Sequence, residues 1–176
     1  KTQELVFSIS TSEAEELKQA ANILKDTWEN IGAKVEVKIF KAGDLNQNVI
    51  RPRKYDALFF GEIIGRESDP FAFWHSSQRN DPGLNIALYA NISIDKLLEQ
   101  GRILPLMEDR EKIYAQFEKE IKKDTPFVPI YSPDFIYLVP NNLRGITAGT
   151  ITTPSERFLD VYVWHTEVGK VWRVFQ

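Results

Sequence analysis

The sequence predicts a single α/β domain whose sheet is largely parallel or mixed and is flanked by helices. Residues 4–9 and 35–39 alternate between apolar and polar side chains, as half-buried strands do. Between them, residues 14–31 carry an apolar stripe at helical spacing. This strand–helix–strand order is the pattern of a β-α-β unit. A chain of 176 residues is long enough to build one such domain around its own core.

The composition narrows the function. The formal net charge is −3, with 22 basic and 25 acidic residues spread along the chain, so no electrostatic footprint for nucleic acid is present. Cysteine is absent, and the two histidines, His75 and His165, stand outside any metal-ligand spacing, so we expect no metal and no cofactor. No apolar run is long enough to predict a membrane span. The first residues lack a signal-peptide core, so an export signal would have to lie upstream.

The first helix has the clearest pattern in the chain. The Ser12 to Glu15 segment has the form of a capping box, which predicts that the helix starts there. Gly32 predicts its left-handed stop. The apolar stripe between them consists of Ala14, Leu17, Ala21, Leu24, Trp28 and Ile31.

Two further elements are predicted before residue 62. Asp44 is expected to cap a brief helix that ends before Pro52. Residues 55–61 form an almost continuous apolar run, which is typical of a central strand that is covered on both faces. Asp56 is expected to stabilise the start of this strand.

In the second half, helices are predicted after the Asp69–Pro70 step, from Ile94 to about Gly101, and over residues 108–123. Asp69 and Asp95 are expected to cap helices. The polar, proline- and glycine-containing stretch between them is expected to be an irregular surface connection. Four β-prone runs complete the chain, at residues 127–131, 135–139, 158–164 and 171–175.

Several short motifs occur in an order that resembles the bacterial family 5 extracellular solute-binding proteins. They are Trp28-Glu29-Asn30-Ile31-Gly32-Ala33-Lys34-Val35, similar to the family's L-x-x-I-G-I-x-V turn; Tyr55-Asp56-Ala57; Asp69-Pro70 with its following aromatics; Asn85, Tyr89 and Asn91 before Ile94-Asp95-Lys96-Leu97-Leu98; Asp109 to Tyr114; and Thr125 to Tyr131. Each motif is weak alone, but their order and spacing together are specific.

This resemblance implies a type II, periplasmic-binding-protein-like lobe. Residues 1–145 would form the C-terminal lobe of a larger two-lobed protein, and residues 146–176 a β-prone tail that packs on this lobe or returns to the missing one. Family members bind peptides, oligosaccharides or metal chelates for an ABC permease. The implied location is extracytoplasmic, in the periplasm or at the outer face of the membrane with a possible lipid anchor.

The loop after the third strand is the predicted ligand site, because ligands of open α/β sheets lie beyond the carboxyl ends of the strands. Its candidate residues are Phe60, Gly61, Glu62, Ile63, Ile64, Arg66 and Glu67, and Asn85 is added from the later loop. The alternative is that the charged residues are solvated loop charges and that Asn85 caps its own loop.

Two candidates depart from what the resemblance implies. In peptide-binding members, an aspartate that pairs with the peptide amino terminus and a cleft tryptophan precede the Asp-Pro step, and here Arg66 and Ile63 stand at about those places. An arginine would repel the ammonium group of a peptide, unless Glu62 or Glu67 took over the pairing with that ammonium group. Arg66 could instead hold a carboxylate through two hydrogen bonds.

Two other functions stay open at this stage. A carboxylate-dependent hydrolase would use Glu62, Glu67 or Asp69, but no nucleophile elbow, phosphate loop or dinucleotide motif accompanies them, so we expect no enzyme. An effector-binding domain of a transcription regulator could share the same fold.

The aromatic residues after the Asp69–Pro70 step, Phe71, Phe73 and Trp74, are expected to lie in the core more than in the cleft, and both histidines are expected to be structural or exposed.

Overall fold

The computed structural model describes residues 4–63, 69–147, 149 and 151–166. The chain divides into two compact units. Residues 1–62 and 69–128 form the larger unit, and residues 63–68 and 129–176 form the smaller one. The boundary predicted at residue 145 stays a prediction. No helix in the described ranges combines the length and the apolar character that a membrane crossing requires.

A three-stranded parallel sheet organises the larger unit. Strands β1 (Val6–Ser12), β2 (Lys34–Phe40) and β3 (Ala57–Leu58) lie in the order β2-β1-β3. Helix α1 (Glu15–Glu29) connects β1 to β2, so the predicted β-α-β unit is confirmed.

The prediction of a central third strand is wrong, because β1 is the central strand of the described sheet. Only Ala57 and Leu58 pair with β1, opposite Ile9 and Ser10. One residue earlier, the Asp56 carboxylate accepts hydrogen bonds from the backbone N–H and the hydroxyl of Ser8, at 2.9 and 2.7 Å. This side chain occupies the Ser8 N–H and ties the start of β3 to β1, the stabilising role expected of Asp56.

Helix α1 begins later than the capping box predicted. The N–H of Glu13 donates to the Phe40 carbonyl at 2.8 Å, which continues the β1–β2 ladder through residues that the prediction gave to the helix. Ser12 is the last residue of β1, and its hydroxyl accepts only a long bond of 3.4 Å from the Ala14 N–H. The helix ends at Glu29, two residues before the last member of the predicted stripe, Ile31, which is 80% exposed. Gly32 has the predicted left-handed conformation, with a φ of +97°.

The α1 stripe packs on the sheet around a small core. Ile9, Ala33 and Val35 are buried there, and partly buried side chains surround them. The Phe7 and Trp28 rings lie 5.2 Å apart, so Trp28 is a packing residue as expected. Each fully buried aliphatic side chain contributes roughly 1.5–3 kcal/mol to folding.

The helix after β2 also starts at a different residue from the predicted one. Helix α2 (Ala42–Asp44) follows Lys41 and continues as a π-helical segment, Leu45–Ile50. Asp44 therefore lies inside the helix and makes no side-chain cap. The segment ends before Pro52 as predicted, and two of its own residues, Leu45 and Val49, are buried.

Three helices follow the candidate loop. Helix α3 (Phe71–Trp74) is short, and the Asp69 carboxylate accepts the Phe71 N–H at 3.1 Å, which is the predicted capping role. Helix α4 (Ile92–Ile103) is capped by Asn91, which accepts from two backbone N–H groups of the first turn. Helix α5 (Met107–Asp124) agrees closely with the prediction for 108–123.

The α4–α5 pair forms the second core of the larger unit. Ile94, Leu98, Phe117 and Ile121 are buried between the two helices. Gly101 does not end α4, which continues to Ile103. Its missing side chain lets the Tyr114 ring of α5 pack closely against α4. A Cβ added there would lie 2.5 Å from the Tyr114 ring.

The β-prone runs do not form the strands that were predicted. In the described part of the chain, residues 127–131 and 135–139 are not strands, and their apolar side chains are largely exposed, Leu138 by 88%. Pro129 removes a backbone donor inside the first run. Residues 158–164 contain 3₁₀ turns instead of a strand. The run at 171–175 lies outside the described residues.

The smaller unit contains one minimal sheet and an aromatic cluster. Strands β4 (Leu143–Arg144) and β5 (His165–Thr166) pair antiparallel. The Arg157 guanidinium carbon lies 4.3 Å from the centre of the Phe158 ring and 5.2 Å from that of Tyr137. These cation–π contacts hold the 3₁₀ turn Pro154–Phe158 to the preceding segment.

Candidate functional site

The chain leaves the sheet at the carboxyl end of β3, where the ligand loop was predicted. The Phe59 N–H donates to the Ser10 carbonyl at 2.9 Å, and the buried Thr11 hydroxyl donates to the Phe59 carbonyl at 3.0 Å. Among the described residues, no backbone hydrogen bond is formed by residues 60–63. The sheet thus fixes the chain at Phe59, and residues 60–63 lie beyond its ladder.

The predicted site residues that follow β3 are accessible. Phe60 is 45% exposed, and Gly61 has open space where a side chain would stand. Glu62 is exposed, yet neighbouring protein displaces part of the water around its carboxyl group, and this desolvation raises its pKa. Ile63, which belongs to the smaller unit, is 70% exposed.

Three predicted site residues, Ile64, Arg66 and Glu67, lie outside the described residues. Their roles stay predictions, including the replacement of the expected acid by Arg66.

Asn85 is fully buried, and its side chain is occupied by backbone groups. Its Nδ2 donates to the His75 carbonyl at 3.1 Å and to the Tyr89 carbonyl at 2.9 Å, while its Oδ1 accepts the Tyr89 N–H at 3.1 Å. Three such bonds leave the amide little capacity for a ligand. This geometry favours the alternative in which Asn85 braces its own loop, and its ligand role stays a prediction.

The segment after the candidate loop is held by polar side chains of α4, a feature that sequence reasoning missed. Asp95 does not cap α4. It accepts the Ser76 N–H at 2.9 Å and the Ser76 hydroxyl at 2.6 Å, so it binds the start of the neighbouring 3₁₀ turn. Arg102 pairs with Asp69. The spacing of Asp95, Glu99 and Arg102 along one helical face was the signal that could have revealed this arrangement.

The aromatic residues near α3 belong mainly to the packing, as expected. Phe71 and Trp74 contact the α4–α5 core. Trp74 also lies 4.8 Å from the Phe127 ring. His75 is buried and stacks on Phe71 at 4.1 Å, whereas His165 is exposed.

A metal centre finds no support in the described ranges. They contain no group of three or more histidine, cysteine, aspartate or glutamate side chains placed to hold an ion. Two open grooves run along β1 and β2 near Ser8 and Asp56, and residues 60–63 do not line them.

Comparison with known proteins relates this geometry to solute-binding proteins. No family model matches the chain. The chain is 27% identical over 128 residues to probable di/tripeptide-binding protein 5 of Pseudomonas aeruginosa (strain UCBPP-PA14), a match that covers 71% of this chain and 24% of that protein.

Three solved structures share the fold. The oligopeptide-binding protein AppA of Bacillus subtilis, in complex with a nonapeptide, matches with a TM-score of 0.70 and 22% identity over 94% of this chain and 32% of its own. The periplasmic binding protein DppA of Helicobacter pylori, with the peptide STSA, has a TM-score of 0.68 and 19% identity, and the match covers 94% of this chain and 32% of DppA. NikZ of Campylobacter jejuni, with Ni(L-His), has a TM-score of 0.64 and 23% identity, and the match covers 91% of this chain and 33% of NikZ.

The chain therefore spans about a quarter to a third of the length of these relatives. The predicted fold class, a helix-flanked lobe of the binding-protein type, is confirmed by these structures. The relatives are named as binding proteins and not as enzymes, in agreement with the expectation of a non-catalytic chain. Neither the hydrolase nor the regulator alternative gains support.

Proposed function

From its fold, which is that of one lobe of the family 5 peptide- and nickel-binding proteins, we propose that this chain is part of the substrate-binding component of an ABC importer. It would supply one wall of a cleft in which a peptide or a similar small solute binds. The observation that supports this proposal is the segment after β3. Residues 60–63 form no backbone–backbone hydrogen bond with other described residues, and their side chains are accessible at the carboxyl edge of a parallel sheet.

An extended solute fits the chemistry of this edge. The N–H and C=O groups of residues 60–63, which lie beyond the described ladder, would pair with the backbone of a peptide, as strands do when they add to a sheet edge. The Phe60 ring offers apolar contact beside them. Glu62 is the described residue that could receive a cationic group, and Arg66 is the predicted partner of a carboxylate.

Binding in a two-lobed protein requires a second wall. The missing N-terminal lobe would supply it, and the solute would stabilise the closed arrangement because that arrangement binds it more tightly than the open one. The closed, loaded protein would then meet an ABC permease outside the cytoplasm. The ligand class stays open among peptides, oligosaccharides and metal chelates, since the other lobe contributes half of the contacts.

Native mass spectrometry of the two-lobed protein, purified from its own host, tests the proposal directly. We expect a co-purified solute that denaturation releases. Calorimetric titration with Ser-Thr-Ser-Ala and with the nickel–histidine complex, the ligands held by two of the structural relatives, then separates a peptide carrier from a chelate carrier.

The segment after β3 is tested by substitution. Glu62→Gln should weaken binding of a cationic solute about tenfold, as expected when a charged hydrogen-bonding group is lost. Glu36→Gln on β2 is the matched control, because Glu36 is an exposed glutamate outside the segment. Absence of any co-purified solute, together with no binding of either probe, would refute the function.

A further inference from the structure

Helix α4 carries a polar stripe that faces residues 69–78, the segment directly after the candidate loop. The stripe consists of Asp95, Glu99 and Arg102, which lie on one face of the helix because they are spaced by four and three residues. Each member approaches a different point of the segment. Asp95 binds Ser76, Glu99 approaches His75, and Arg102 binds Asp69.

Arg102 makes the most extensive of these contacts. Its Nε and Nη2 both lie 2.9 Å from Oδ2 of Asp69. The other oxygen of the same carboxylate, Oδ1, accepts the Phe71 N–H at 3.1 Å. Both oxygens of Asp69 are therefore engaged, one by α4 and one by the first turn of α3.

The guanidinium group also stacks. Its central carbon lies 4.0 Å from the centre of the Phe71 ring, and the same ring stacks on His75 with a centroid separation of 4.1 Å. Two groups at such distances must occupy opposite faces of one ring, so Phe71 lies between Arg102 and His75. Planar stacking of this kind is available to arginine and not to lysine.

The remaining contacts fix the rest of the segment. Ser76 is held by two hydrogen bonds to Asp95, and His75 Nε2 lies 3.5 Å from Oε1 of Glu99. On the sheet side, the buried Thr11 hydroxyl holds the Phe59 carbonyl. The chain is thus anchored at Phe59 before the candidate loop and at Asp69 after it.

We propose that Arg102 is a positioning residue for the solute site, which fixes residues 69–78 beside the candidate loop without touching the solute. This inference rests on the proposed function. Holding residues 69–78 in place before binding leaves fewer groups for the solute to order, and such preorganisation raises affinity. Arg102 contributes both a charge-assisted pair and a stack, so its loss frees Asp69 and Phe71 together.

The experiment compares Arg102→Gln, Arg102→Lys and Asp69→Asn in the two-lobed protein. Arg110→Gln is the matched control, because Arg110 lies in the same α4–α5 hairpin but donates to the Leu104 carbonyl. Hydrogen exchange measured by mass spectrometry reports on residues 69–78, and titration with Ser-Thr-Ser-Ala and with nickel–histidine reports on affinity.

We expect Arg102→Gln to speed exchange in residues 69–78 about fivefold and to weaken solute binding by a similar factor, as loss of a partly exposed pair and a stack implies. Arg102→Lys should recover only part of either effect. Asp69→Asn should have a smaller effect than Arg102→Gln, because it leaves the contact of Arg102 with the Phe71 ring. The double variant should fall short of the sum of the two single effects, since both single variants remove the same ion pair. Exchange in the buried α4–α5 core should stay as in the unmodified protein.

The outcomes separate the two proposals. Unchanged exchange in Arg102→Gln, equal effects in Arg110→Gln, or unchanged affinity despite faster exchange would each overturn the positioning role. If the unmodified protein carries no solute and binds neither probe, the proposed function fails, while the exchange data still decide whether Arg102 anchors the segment.

Discussion

Replacing Asn85 with alanine tests whether this residue braces its loop or binds solute. Asn85 is fully buried, and the substitution removes its three side-chain hydrogen bonds, of 3.1, 2.9 and 3.1 Å. It leaves the Tyr89 carbonyl and the Tyr89 N–H without these partners, whereas the His75 carbonyl still accepts the Gln78 N–H. Each unsatisfied buried group costs about 1–3 kcal/mol, and Tyr89 is only half-buried, so we expect a loss of about 2 kcal/mol.

Urea unfolding of the chain, followed by far-ultraviolet circular dichroism, measures this loss as a lower midpoint at an unchanged slope. Asn22→Ala is the control, because Asn22 is exposed on α1 and alanine favours a helix there. Asn85→Asp should be nearly as damaging, since a carboxylate can accept the Tyr89 N–H but cannot donate to two carbonyls. Surface substitutions usually change the unfolding free energy by no more than about 0.5 kcal/mol. The bracing role would be refuted if Asn85→Ala lowered the unfolding free energy by less than about 1 kcal/mol, close to that range.

Two further predictions concern the α4–α5 pair. Gly101→Ala should fail to raise the unfolding free energy by the roughly 1 kcal/mol that alanine adds inside a helix, because the new Cβ would stand 2.5 Å from the Tyr114 ring and force the ring to move. Gly43→Ala, whose site is open, should leave the melting temperature unchanged or raise it, and equal effects of the two would contradict the close-packing argument. The hydrogen bond from the Tyr89 hydroxyl lowers the pKa of Asp124 below its ordinary value of 3.8, so the carboxylate stabilises the fold above that pH and the contribution disappears as pH falls through the lowered pKa. Unfolding between pH 5 and pH 2 should therefore be less pH-dependent in Asp124→Asn than in the unmodified chain, and identical profiles would remove Asp124 from the acid response.

The helices could be predicted where their own periodicity determined them. The α1 stripe and Gly32 were sufficient for the body of that helix and for the left-handed turn after it, because both depend on local geometry. Its start was misplaced, since the N–H of Glu13 is taken by Phe40, a residue that is distant in sequence. A capping box competes with strand pairing at this point, and only the sheet decides between them.

Strands depended on partners that the sequence does not specify. Residues 135–139 have strong β propensity, yet no neighbouring strand pairs with them in the described part of the chain, and propensity alone does not form a ladder. The β3 segment has a partner, but pairs through only two residues, Ala57 and Leu58.

The candidate site was predicted in part. Its placement after β3 followed from a general property of parallel sheets, and Phe60 and Glu62 are accessible there. Asn85 was selected as a polar loop residue, but its side chain is buried and its amide forms hydrogen bonds with backbone groups. The contact of Arg102 with Asp69 joins residues 33 positions apart, so the polar face of α4 indicates that a partner exists but does not identify it.

The central place of β1 in the sheet has a practical consequence for anyone who cuts or fuses this chain. Both neighbouring strands depend on residues 6–12 for their only described pairing, and the strand comes before everything it joins. A boundary set after residue 12 would delete one strand and leave two others as isolated edges, with Ala33 and Val35 exposed to water. Shortening the chain from its amino end is therefore a test of the whole sheet, and tags or linkers at that end must leave β1 intact.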